Sequence, residues 1–221
     1  MMTAELIESN KQEFLALLDK IDREGFDKEG LLRQLTKSDF FEAPATTRHA
    51  FACPGGLCAH SLDVYYSLLN IVQMSYNAST HFPYTEETIV LVGLFSALSR
   101  MNKYEVTYRN VKRYYEGGNR RDEVGAFDWE MVQEYAVRDP ESRLIYGDEG
   151  VNTVYMLGTY IPLTLEEQVA LMHCGIADVD NHKDTMHVFR KYPLAVFLKM
   201  AVEHATFFGD PLWEQSIESN Y

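Results

Sequence analysis

The chain has 221 residues, of which 46% are hydrophobic, enough for one sizeable core. Its 33 acidic and 20 basic residues give a formal net charge of -13, which disfavours binding to a nucleic acid polymer because the overall field repels phosphates. The longest apolar run is too short to cross a bilayer and no export signal is recognisable, so we expect a cytoplasmic protein without membrane contact. Its three cysteines are then expected to be reduced.

Two helices are predicted at the start of the chain. Apolar residues at helical spacing predict the first helix over 5–24, ended by Gly25, and a shorter helix follows over 28–35. We interpret residues 1–39 as a helical cover. It is expected to pack on the main domain, residues 40–221, as part of one structural unit.

The next predicted element is a core-facing helix that begins after Gly55 and Gly56. Apolar residues recur at three- and four-residue spacing from Leu57 onwards, and His60 lies near the start of this helix. Thr85 is a suitable N-cap for a second apolar helix that continues to about residue 100. These two helices are predicted to form the centre of the core.

A small β-hairpin is predicted over about 104–137. Residues 104–115 and 127–137 are rich in β-branched and aromatic side chains, and the Gly-Gly sequence between them indicates a turn. The tyrosines of the first strand are expected to cover the apolar face of the hairpin, although aromatic side chains of this kind also stack on bases.

Basic residues are concentrated from the end of the second apolar helix into this hairpin. Residues 100–121 contain only two acidic side chains, Glu105 and Glu116, against seven basic ones: Arg100, Lys103, Arg109, Lys112, Arg113, Arg120 and Arg121. One interpretation is a solvated hairpin that balances an acidic surface. The other is a phosphate-binding wall, since guanidinium groups bind phosphate oxygens in pairs; its candidate residues are Arg100, Lys103, Arg109 and Lys112.

Three further helices and one loop are predicted towards the end of the chain. A helix is expected over 151–160, and the capping-box spacing at Thr164 predicts another over 165–173. Residues 176–187 are interpreted as a polar loop; the alternative is a replacement metal site, because His and Asp are suitable ligand types. Proline in its first turn favours a final helix over 192–208.

Five separated motifs, in this order, resemble the HD-domain superfamily of metal-dependent phosphohydrolases, and in particular a small bacterial and phage-type branch. They are Gly55-Gly-Leu-x-x-His-Ser-Leu-x-Val64, the apolar helix Gly93–Asn102, Arg109-Asn-Val-Lys112, the helix that ends in His173-x-Gly175, and Tyr192-Pro-Leu-Ala continued to Ala205-Thr206. The resemblance covers about 40–208. It implies a mainly α fold, an HD-domain-like helical bundle with a small β-hairpin insertion.

The resemblance also implies where a catalytic metal would be held. The family takes its ligands from a first histidine, a His-Asp pair and a late aspartate; the matching positions here are His60, Ser96, Ala97 and Val202. A further family histidine corresponds to Asp148, whereas His173 is retained. Because one imidazole does not fix a divalent cation, we expect no metal and no cofactor, with His60 and His173 as remnant ligands or simply packed histidines.

The family pattern suggests three more residues near such a pocket. The loop before the central helix passes over the pocket in that branch, which makes Arg48 and His49 candidate ligand-binding residues. Lys199 stands where the family has a histidine, so its ammonium group is expected either to point into the former metal pocket or to reach the surface.

These observations favour a catalytically inactive HD-like protein that binds a nucleotide or other phosphorylated small molecule and sequesters it. The alternatives are a residual metal-dependent phosphohydrolase that uses a rearranged site, and a protein-interaction scaffold. The candidate ligand-binding residues are Arg48, His49, His60, Arg100, Lys103, Arg109, Lys112, His173 and Lys199. The tyrosine and phenylalanine content is also compatible with a homo-oligomer interface.

Overall fold

The computed structural model describes residues 2–48, 50–76, 83–145, 147–175 and 182–209, with the side chains of 182–185 excepted. These residues form eight α-helices and a three-stranded antiparallel sheet. The helices are α1 (Ala4–Leu18), α2 (Lys28–Lys37), α3 (Gly56–Ser75), α4 (Glu86–Phe95), α5 (Glu149–Gly158), α6 (Leu165–His173), α7 (His182–Lys191) and α8 (Pro193–Phe208). The strands are β1 (Tyr104–Tyr114), β2 (Arg120–Arg121) and β3 (Ala126–Val137). The predicted mainly helical fold with a small β insertion is therefore confirmed.

Helices α3 and α4 form the centre of the core, as their apolar spacing predicted. Every residue from Ile89 to Phe95 is buried. The two helices approach closely at Gly93, where an added Cβ would lie 2.8 Å from the Cα of Tyr65. Helix α8 packs against α3 and α6, and α1 and α2 contribute Phe14, Leu31 and other side chains to the same core.

Side-chain caps fix where several helices begin, and the sequence identified most of them. Asp27 accepts a hydrogen bond from the backbone of Gly30 and Thr85 from that of Thr88, at 2.8 and 3.1 Å. Thr164 and Glu167 form the predicted capping box at the start of α6. Such caps use only neighbouring residues, so they can be recognised in a sequence.

Two helix predictions were wrong in extent. The first helix ends at Leu18 rather than at residue 24, where Lys20 and Ile21 donate to the carbonyls three residues earlier and close the last turn. Beyond it, Arg23 bonds carboxylates of α4 and α6. The polar loop predicted over 176–187 is helical from His182 onwards, and residues 176–181 lie outside the described residues. Helix α7 is stabilised by Phe189, which packs against the core from an otherwise polar helix.

The predicted hairpin is present and projects from the helices. Its two long strands pair in register from Tyr104 opposite Val137 to Tyr114 opposite Phe127. At its root, Tyr104 is buried and donates a hydrogen bond to the carbonyl of Ala45, at 3.2 Å. The hairpin thus begins beside the loop that precedes α3.

Candidate functional site

His60 is buried near the start of α3 and has no hydrogen-bonding partner. It is 1% exposed, and neither ring nitrogen has a partner among the described residues. Its ring lies against that of Phe51, with centroids 5.4 Å apart. Burial, together with the charge of Arg100, lowers the pKa of His60 to about 3. The imidazole is therefore neutral near pH 7 and offers one donor and one acceptor.

Asp63, one helical turn after His60, carries a second unpartnered polar atom. Its Oδ2 is buried and has no partner among the described residues. Burial raises the pKa of Asp63, and the nearby His204 opposes that rise. Gly209 separates Asp63 from Phe51, because a Cβ there would lie 2.6 Å from Oδ2 and 2.5 Å from the Phe51 ring. Phe51 therefore borders both unpartnered groups.

A cationic cluster lies near His60. The short 3₁₀ turn after α4 brings the Nε of Arg100 to 3.1 Å from Glu149 at the start of α5. Lys103 donates to the other oxygen of Glu149. Burial alone would raise the pKa of Glu149, but Arg100 and Lys103 outweigh it and lower the pKa to about 2. Two cations and one carboxylate leave this cluster with a formal charge of +1.

The loop from Pro44 to Phe51 joins the two parts of the site. The carbonyl of Ala45 accepts a hydrogen bond from Nη1 of Arg100 at 3.1 Å. The N–H of Ala45 donates to the carbonyl of Phe51 at 3.0 Å. Gly56 lets α3 begin directly beneath this loop, since a Cβ there would lie 2.1 Å from the Phe51 carbonyl oxygen. Arg48 is exposed on the loop, and His49 lies outside the described residues.

The positions that the resemblance assigns to metal ligands offer a poor donor set. Ser96, Ala97 and Val202 are all buried, and the only side-chain oxygen among them, on Ser96, donates to the carbonyl of Gly93 at 3.2 Å. Asp148 is exposed and caps α5 by accepting from the backbone of Val151 at 2.8 Å. Across the described ranges, no group of three His, Cys, Asp or Glu side chains is placed to hold a metal ion.

His173 and Lys199 lie together at the end of α6. His173 is half-buried in the last turn of that helix. Lys199 donates to the carbonyl of Gly175 at 3.0 Å and pairs with Glu203 of its own helix at 2.9 Å. Its ammonium group therefore has protein partners and does not act as a free cation.

The hairpin cations are separated from the site. Arg109 pairs with Glu134, and Lys112 pairs with Asp122, all within the hairpin. Arg109 lies about 16 Å beyond Tyr104 along the strand, at about 3.3 Å per residue. The sequence grouped Arg100, Lys103, Arg109 and Lys112, whereas the structure places only the first two beside His60.

Sequence reasoning missed Asp63, Phe51 and Glu149. Asp63 lies inside the motif of residues 55–64 and Phe51 in the loop before it, and only the fold shows that both lie beside Gly209. Glu149 is one of many acidic residues, and it precedes the helix that was predicted over 151–160. Cys174 was also missed: it is buried at the end of α6, and burial raises the pKa of its thiol to about 12.

Comparison of the chain with protein-family models, with curated proteins and with solved structures finds no match. None of the described helices is both long enough and apolar enough to span a membrane.

Proposed function

We propose that this protein binds a nucleotide, or another phosphorylated small molecule, at the pocket around His60 and does not hydrolyse it. In this proposal it is a catalytically inactive HD-like protein, and binding without turnover sequesters the ligand. The resemblance of the sequence motifs suggests the class of ligand, and the unpartnered groups on α3 support this location.

The observation that carries the proposal is the unpartnered imidazole of His60. A buried polar group without a hydrogen bond costs about 1–3 kcal/mol of stability. Two such groups, His60 and Asp63, lie one turn apart on α3. Neutral hydrogen-bonding groups of a ligand, such as those of a base or a sugar, would satisfy both and recover this free energy.

The cationic side of the pocket favours a phosphate. Arg100 and Lys103 outweigh Glu149 by one positive charge, and the exposed Arg48 lies on the loop above. The neutral imidazole of His60 beside a cationic cluster matches the two parts of a nucleotide. Inorganic phosphate would fill only the second, so we expect it to bind much more weakly.

The donor set explains why we propose binding without hydrolysis. Phosphoester cleavage in the family that this chain resembles depends on a divalent metal, which needs several imidazole and carboxylate ligands. Ser96, Ala97 and Val202 supply none of these. The rearranged hydrolase site has weaker support, because Asp148 is committed to capping α5 and part of the 178–187 stretch lies outside the described residues.

The test is thermal unfolding with a panel of nucleoside phosphates and cyclic nucleotides, followed by chromatography of each incubated ligand. At 100 times its Kd, a ligand stabilises the folded state by about 2.7 kcal/mol, so a true ligand raises Tm clearly. We expect at least one nucleotide to do so, to be recovered unchanged, and to lose its effect in His60→Leu. Arg109→Ala is the matched control and should retain binding. Stabilisation by no member of the panel, or metal-dependent conversion of a ligand, would refute the proposal.

A further inference from the structure

The hairpin of residues 104–137, here called the arm, is exposed over most of its length. Within its strands only Tyr104 and Phe127 are buried. Strand β2 pairs only with Phe127 and Ala126 of β3. In the described chain, no strand pairs with the rest of that edge of β3 or with the outer edge of β1. Two-stranded ribbons are marginally stable in water unless something packs on them. We therefore expect another surface to pack on the arm.

Alternation along the strands divides the arm into two faces. One face is charged and internally paired, by Arg109 with Glu134 and Arg113 with Glu130. The other face, here called the aromatic face, presents large side chains that are at least 43% exposed: Val106, Tyr108, Tyr114, Trp129, Met131 and Val137. The charged face is well solvated by water, whereas exposure of the aromatic face to water is unfavourable.

Electrostatics disfavours nucleic acid as the occupant of the aromatic face. Two cations share this face: Lys112, which pairs with Asp122 and lies over the rings of Phe127 and Trp129, 4.5 and 5.8 Å from their centroids, and Arg120, which is opposite Phe127. Because residues 104–137 carry seven acidic and five basic side chains, the arm as a whole offers little to a phosphate backbone.

The charge of the arm favours a second copy of the chain. Residues 104–137 contain five basic and seven acidic side chains, a net charge of -2 in a protein whose net charge is -13. Two copies repel each other through their acidic helical parts, and they can meet at their arms with much less repulsion.

The exposed area is also of the right order for a dimer. The six side chains of the aromatic face present roughly 500 Å² of apolar surface, given full areas of about 150–250 Å² for an aromatic residue. A monomer rarely leaves so large an apolar patch exposed, and a stable interface buries about 800 Å² per partner. The polar side chains between the aromatic ones, such as Asn110 and Gln133, add to the contact.

We propose that the aromatic face is a homodimer interface in which two arms pack face to face and antiparallel. The two-fold axis passes near Asn110 and Met131, which are opposite each other in mid-strand. Each tip, with Trp129, then lies on the root of the other arm, with Tyr108. The 11 residues of β1 span about 36 Å, which holds the two acidic helical parts several Debye lengths apart at physiological salt.

The test compares Met131→Glu with Val132→Glu by light scattering after size-exclusion chromatography, over a wide range of protein concentration. The two positions are adjacent and receive the same charge, but Met131 is 68% exposed on the aromatic face, whereas Val132 is on the charged face opposite Arg109. We expect the wild type and Val132→Glu to be dimers. Met131→Glu should weaken association about 100-fold or more, because it buries an unpaired carboxylate.

Circular dichroism of both variants separates loss of the dimer from loss of the fold. A monomeric wild type at every concentration would overturn the proposal. A wild-type dimer that Met131→Glu leaves intact, or that both variants disrupt equally, would place the interface elsewhere and would also overturn it. Binding of the wild type to an oligonucleotide through this face, without dimer formation, would have the same consequence.

Discussion

Arg23 and Arg100 each bond a glutamate, but the two clusters differ in what surrounds them. Arg23 bonds Glu167 through two nitrogens, at 2.8 Å each, and also bonds Glu87. Glu167 accepts two further hydrogen bonds, from Thr88 and from the backbone of Thr164. All of these bonds join elements of the fold, so this cluster is complete in itself.

The Arg100 cluster is also paired, yet it borders groups without partners. Arg100 bonds Glu149 and the carbonyl of Ala45, whereas His60 beside it has none. If stability were the only requirement at this position, an apolar side chain would be better than an unpartnered imidazole. The difference is that the Arg23 cluster ties helices together, whereas the Arg100 cluster adjoins the unpartnered groups on which the proposed site rests.

The largest expected effect comes from breaking the complete cluster. Glu167→Ala removes a carboxylate whose side chain is 1% exposed and leaves the guanidinium of Arg23 poorly paired. We expect the free energy of unfolding to fall by about 3–5 kcal/mol, as measured by urea denaturation. If the loss were no larger than that for an exposed ion pair, the structural role of this cluster would be disproved.

The pH dependence of stability tests the surroundings of His60, beside the Arg100 cluster. The pKa of His60 is lowered from 6.5 to about 3 in the folded state. Between these values the unfolded chain binds a proton that the folded chain does not, so stability falls as pH falls below 6.5. This one group should cost about 3 kcal/mol between pH 7 and pH 4.

The measurement is denaturant unfolding of wild type and His60→Leu at both pH values. The contribution of His60 is the difference between their pH-dependent losses, since the other titrating groups are common to both. Equal losses in the two proteins would mean that His60 is solvated or hydrogen-bonded in the folded state.

The same substitution should raise stability at pH 7. His60→Leu replaces an unpartnered polar ring by an apolar side chain of similar size, so we expect a gain of about 1–2 kcal/mol together with loss of ligand binding. Tm and a nucleotide titration report the two effects on one sample. A clear loss of stability would show instead that the imidazole supports the fold.

The smallest effect is expected at an exposed pair near the complete cluster. Lys20 pairs with Glu86, and both side chains are largely exposed, at 46% and 64%. Lys20→Ala should therefore change the free energy of unfolding by less than about 1 kcal/mol in urea. It is also the matched control for Glu167→Ala, because both substitutions remove one half of an ion pair made by the segment that follows α1.

The sequence was sufficient to predict those elements whose structure depends on residues that are neighbours in the chain. The caps at Asp27, Thr85 and Thr164 and the alternation of the hairpin strands are local signals, and each marks its element correctly. His60 was also identified, through a motif. Its lack of a partner was not, because that property depends on every element that packs around it.

The basic residues show why the site itself was harder to predict. Their concentration between residues 100 and 121 suggested one phosphate-binding wall. Each strand residue advances about 3.3 Å, so a hairpin carries nearby residues far from each other in space. The acidic partners Glu149, Glu134 and Asp122 come from other segments, and no local pattern relates them to the cations that they neutralise.

The most direct test of the ligand pocket is native mass spectrometry of the protein purified without chelator. We expect the wild type and Arg109→Ala to carry a non-covalent adduct of nucleotide mass, retained from the cell or from an added nucleotide panel, and His60→Leu to carry none. A stoichiometric divalent ion in place of that adduct, or an adduct that His60→Leu retains in full, would contradict the account.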